Sequence, residues 1–137
     1  MAITSAFTNQ AKQDFLAGVH QPGDVYKIAL FTSTATMDKT TTAYSTTNEV
    51  TGTGYTAGGA TLSGYAGGIS GDTAYLSWSD PTWASSTITA RGALIYNSSR
   101  SNKAIAVLDF GADITSTAGT FTVDLPAAGA SAIVRIA

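Results

Sequence analysis

The hydrophobic period of this chain changes once, near Pro22, and that change decides the fold class. Before it, Phe7, Ala11, Phe15, Leu16 and Val19 recur at helical spacing, with Lys12 and Asp14 on the other side. The spacing predicts a helix over about 5–19, capped at its start by Thr4 or Ser5 and stopped by Gly18 and the run 21–24. Two phenylalanines on one stripe must dock, either on the chain's own core or on a neighbouring subunit. Phe7 and Phe15 are therefore candidate interface residues.

After Pro22 the period is two. Residues 25–32, Val-Tyr-Lys-Ile-Ala-Leu-Phe-Thr, read as a strand that is apolar on both faces and hence central in a sheet. Further strands are expected at 60–64, 73–79, 86–97, 103–110, 119–125 and 132–137. Gly92 marks a bulge or a close backbone approach within 86–97. In 119–125, Phe121, Val123 and Leu125 alternate cleanly with Thr120, Thr122 and Asp124. Residues 65–72 read as a Gly-rich turn and 97–102 as a hairpin turn. About seven strands after one helix, with turn signals every 8–15 residues, imply a mainly β fold. It is a β-sandwich or barrel-like, in one domain over 1–137 with the β region spanning 24–137.

Residues 33–53 interrupt the pattern as a long Thr-rich connection. A short helical turn near 47–50 could be capped by Thr47. The hydrophobic pattern of this stretch is poor, so it is expected to pack little on its own core and to contact a partner. Tyr44 within it, Tyr55 just beyond it and Trp83 in the apparent loop 80–86 complete the candidate interface set, because Trp and Tyr dominate binding hot spots. Core packing accounts for Trp78 and Tyr96.

Several short motifs invite chemistry and lose it on context. The run 52–57 fits G-x-G-x-x-A, but a strand rather than a helix is expected after it, so no helix N-terminus can hold a pyrophosphate. Asp109-Phe110-Gly111 copies a kinase metal triplet without any other kinase element, and reads as a strand end with Gly111 in a turn. The sequon at Asn97 has no secretory signal before it and reads as a polar turn. Asp109, Asp113 and Asp124 match no cation loop and read as solvated or capping carboxylates. His20, the one histidine, is expected at the helix C-terminus, where a cationic imidazole suits the dipole.

Composition narrows function. Only 12% of residues are charged, against roughly 25% in an ordinary domain. There is no cysteine, and the net charge of −2 is too small to drive nucleic-acid or membrane-surface binding. No stretch is long and apolar enough for a membrane span. No catalytic residue, cofactor or metal is expected. A surface poor in charge and rich in Thr, Ser, Gly and Ala suits protein–protein contact rather than catalysis. Aromatic stacking on sugars, as in a carbohydrate-binding module, is a further alternative.

Three segments, 54–62 (Gly-Tyr-Thr-Ala-Gly-Gly-Ala-Thr-Leu), 90–97 (Ala-Arg-Gly-Ala-Leu-Ile-Tyr-Asn) and 103–111 (Lys-Ala-Ile-Ala-Val-Leu-Asp-Phe-Gly), occur in order. With the strand 27–32 and the N-terminal helix they resemble a family of small virion structural proteins of tailed bacteriophages. The resemblance implies a virion protein made in the host cytoplasm, most like a head decoration (cement) protein. Its partner would be the major capsid protein, and it would act as a homo-oligomer or multi-copy lattice. A tail or head–tail (neck) component is the alternative. The resemblance carries over no catalytic residue.

Overall fold

The computed structural model describes residues 2–136. In chain order the elements are β1 (Ala6–Phe7), α1 (Asn9–Leu16), β2 (Tyr26–Phe31), β3 (Ala60–Thr61), β4 (Ala66–Ser70), β5 (Thr73–Ser77), β6 (Thr82–Asn97), β7 (Lys103–Thr122) and β8 (Val134–Ile136). They form two antiparallel sheets, a five-stranded one ordered β1-β7-β6-β2-β3 and a three-stranded one ordered β4-β5-β8. The mainly β, sandwich-like fold with one N-terminal helix is as the period change predicts, with eight strands among the described residues rather than about seven; position 137 of the strand expected at 132–137 lies outside the described residues.

The helix is half the expected length. Residues 6 and 7 instead pair with Val107 and Ala106, so Thr8, not Thr4 or Ser5, becomes the N-cap and accepts from the Ala11 amide. Ala17 caps the other end, and Gly18, at φ +72°, takes the left-handed position that helix C-termini favour. Asp14, expected on the solvent side, is 4% exposed.

β2 is central, as its two apolar faces require. Ile28 and Leu30 join the core between the two sheets, together with Leu76, Val134, Ile95 and Ile105. Ala29 and Phe31, on the opposite face, join a second core with Leu94, Tyr96 and Val107.

What covers that second face is the stretch 33–53, which corrects the expectation that it has little to pack on. Ala35, Met37 and Tyr44 close the second core, and Val50 enters the first. The apolar outer face of the sheet has to be covered, and three or four well-placed apolar residues suffice without any period. Backbone bridges tie the segment down at Ile3–Met37, Phe31–Glu49, Ala43–Lys103 and Thr53–Thr87. At 46–49 the chain makes a turn, with the Glu49 amide on the Thr46 carbonyl, rather than a helix.

Three other expectations shift. Residues 66–70, read as turn, form β4, joined to β5 by a two-residue turn with Gly71 at φ +60°. The strands expected at 103–110 and 119–125 are largely one strand, β7. Between Gly92↔Asp109 and Ala90↔Ile114, two steps on β6 face five on β7. Residues 110–113 therefore bulge out, with Gly111 at φ +80°, so Asp109 and Gly111 lie inside β7 rather than at a strand end and in a turn. Trp83 belongs to β6, not to a loop: Pro81 ends the preceding segment, and Trp83, Ser86, Ile88 and Ala90 then face inward past a bulge at Ser85. At Gly92 the expected close approach is present, since a Cβ there would lie 2.6 Å from the Leu108 carbonyl oxygen.

Candidate interaction surface

The five residues singled out as interface candidates do not assemble into one surface. Phe7 and Phe15 are half-buried and meet each other, ring centroids 5.9 Å apart, over the inter-sheet core. Trp83 is 6% exposed and wedged between Tyr55 and Phe121. Tyr44 stacks on Tyr96, centroids 4.5 Å apart and planes 11° from parallel.

Tyr44 and Tyr55 converge on Glu49. Their hydroxyls donate to its two carboxylate oxygens at 2.6 and 2.5 Å, and the Gly58 amide donates at 2.8 Å. The Leu30 amide donates to the Tyr55 hydroxyl, and Tyr96 donates to the Gly58 carbonyl. Burial, reinforced by the Glu49 carboxylate, raises the titration of the Tyr44 and Tyr55 hydroxyls well above the ordinary phenol range. Burial likewise pushes Tyr96 up to about 12. All three therefore remain donors at neutral pH. The carboxylate is fully engaged, so this node is an anchor: it fastens the 44–58 segment to the part of β2 that β3, pairing only at Lys27 and Ile28, leaves uncovered. Gly59 completes the fit, for at φ +79° its missing Cβ would overlap the Ile28 carbonyl oxygen.

A second polar cluster surrounds His20, which lies beyond the helix rather than on its last turn. Its side chain is fully buried, and desolvation lowers its titration despite the attraction of Asp14 and Asp24. It is thus neutral at pH 7, not the cationic C-terminal residue its position suggests. Asp24 receives a two-pronged bond from Arg100 at 2.9 and 3.0 Å, which with Asn97 and the Gln21 amide holds its carboxyl well below the usual range. Neither cluster is arranged as nucleophile and base. Asp109 pairs with Arg91 at 3.3 Å, and no group of three potential metal ligands converges among the described residues.

The exposed apolar residues lie elsewhere. Leu16 is 88% exposed, Ile69 78% and Ile136 53%, with Tyr65 also at the surface. The register Ile69↔Ala74↔Ile136 puts one apolar row across the three-stranded sheet. On the same face, two residues along, Leu76 and Val134 enter the core. The small sheet thus overhangs the large one, and a groove of about 170 Å³ opens there, walled by Phe15, Tyr65, Leu76 and Ile136. Sequence reasoning missed these residues. Leu16 was counted into the stripe although Phe7, Ala11 and Phe15 already fill it at intervals of four. Ile69 was hidden in glycines read as a turn.

No helix among the described residues is long and apolar enough to cross a membrane. No family model, no curated protein and no solved structure matches this chain.

Proposed function

We propose that this chain is a structural protein of a tailed-bacteriophage virion, a head decoration protein that binds the capsid lattice from outside in many copies and has no catalytic activity. The observation that carries the reading is the overhanging apolar row Ile69–Ala74–Ile136 beside the groove that Phe15 and Tyr65 wall, in a chain with so few charged residues. Contiguous exposed apolar residues mark interaction sites, and low charge reduces the desolvation cost of burying them. The resemblance of segments 54–62, 90–97 and 103–111 to those of small phage virion proteins supports the same reading. Each copy bridging neighbouring capsid subunits stabilises the assembled state by mass action, because it binds only that state.

The test is to add purified protein to heads that lack it and to follow binding and the thermal release of DNA. Saturable binding with release shifted to higher temperature is expected. With a net charge of −2, binding should depend only weakly on salt. Failure to bind heads, with labelling confined to tail or neck, would replace this reading by the tail or neck one.

A further inference from the structure

The hydrogen bonds around Asn97 determine which proton His20 carries. Asn97 is fully buried at the end of β6, and its amide orientation is set by two neighbours. Its Oδ1 accepts from the Ser99 amide at 3.0 Å, and its Nδ2 donates to Asp24 Oδ2 at 2.8 Å. Flipping the amide would oppose donor to donor at Ser99 and acceptor to acceptor at Asp24. The second hydrogen of Nδ2 points to His20 Nδ1 at 2.9 Å. Nδ1 must therefore be the bare acceptor, and the imidazole proton sits on Nε2. That nitrogen has no hydrogen-bond partner; Asp14 Oδ2 lies 3.6 Å away, beyond bonding reach.

We propose that His20 is an acid-operated latch, whose protonation at Nδ1 sets two donors against each other at Asn97 and releases α1 and the 17–24 segment from the β6–β7 turn while the sheet stays intact. The groups facing the imidazole come from every element packed on it. Asp14 and Phe15 belong to α1, Asp24 to the following segment, Tyr26 to β2, Arg100 to the turn and Lys103 to β7. Asp14 and Asp24 favour the cation; burial, Arg100 and Lys103 oppose it, and burial is the largest influence. Asp24 is already neutralised by its paired Arg100, which leaves Asp14 as the main attraction, at a distance too long for a hydrogen bond. Besides this cluster, α1 is held by Thr8, which donates from its hydroxyl to the Ala104 and Ile105 carbonyls, and by Ala11 and Phe15 on the inter-sheet core. The latch is independent of what the apolar row binds, although Leu16 on α1 would move with it.

Because the folded imidazole titrates below its ordinary 6.5, opening is favoured as pH falls through that value. Two measurements test this on the full chain. Nitrogen-15 spectra of the wild-type imidazole at neutral pH should show a proton on Nε2 and none on Nδ1. This needs no variant, and the opposite tautomer overturns the proposal. Amide exchange, corrected for its intrinsic rate, should show the α1 opening constant rising about tenfold per pH unit below 6.5 until the folded imidazole itself titrates. Amides of β2, β6 and β7 should stay protected, and His20→Gln should abolish the slope. A flat profile between pH 6.5 and 5, a titration at or above 6.5, or loss of protection throughout the sheet would each sink it.

Discussion

The two faces of the five-stranded sheet are covered by different means. The inner face meets a second sheet, and a continuous apolar layer joins Ile28, Leu30, Ile95 and Ile105 to Leu76 and Val134. The outer face meets a segment with no ladder of its own, held by isolated bridges, a few apolar side chains and the Glu49 node. The contrast shows that an irregular segment can seal a sheet when it brings one buried carboxyl group whose two oxygens both accept hydrogen bonds. Apolar packing on the inner face is distributed over many residues, whereas the outer cover depends on a few.

If that contrast holds, truncation inside the first core has the largest effect. Ile95→Ala should cost about 2–5 kcal/mol and shift the whole urea transition. A change below about 1 kcal/mol would mean that the inner layer is loosely packed. Glu49→Gln comes next, at about 1–3 kcal/mol, because its amide nitrogen cannot accept from the tyrosine hydroxyls. The loss should be local: exchange protection should fall across 44–58 while β6 and β7 keep theirs. Global unfolding by this change would erase the distinction between the faces.

Tyr96→Phe should cost about 1 kcal/mol, the net value of its bond to Gly58. It should also alter the alkaline response. The Tyr96 hydroxyl titrates higher folded than unfolded, so its contribution is complete below about pH 10 and declines as pH rises towards 12. The phenylalanine variant should show a shallower decline, and an identical alkaline profile would show that the hydroxyl is not buried in solution. Smallest in stability are Leu16→Ser and Ile69→Ser, each within about 0.5 kcal/mol of wild type by thermal melting. Under the proposed function, Ile69→Ser should weaken attachment to heads. Melting points lowered by several degrees would place these residues in the protein's own core.

The class of the fold was legible because strand alternation is local. Val25–Thr32 shows β2, and Phe121, Val123 and Leu125 show the inward face at the end of β7 and just past it, because side chains two apart in extended chain share a face. Gly92 announced its close approach for a similarly local reason. The strands that were missed had their signal masked: Gly67 and Gly68 hide β4, and the bulge at Ser85 puts Trp83 out of step with Ile88 and Ala90. The candidate surface was hardly legible at all. The aromatic residues that suggested an interface turned inward, and the exposed row consists of two isoleucines and an alanine, Ile69, Ile136 and Ala74.

The sequence by itself determined a mainly β chain with one N-terminal helix, a doubly apolar central strand and a low charge content. These follow from hydrophobic period and composition, which need no knowledge of distant partners. Only the tertiary structure decided that 33–53 seals the outer face, that Glu49 gathers two tyrosines, and that Asn97 assigns the proton of a histidine 77 residues earlier. Those outcomes depend on which distant residues the sheet order β1-β7-β6-β2-β3 brings together. A buried polar group takes its state from whichever partner lies within hydrogen-bond reach, and the local sequence does not specify that partner.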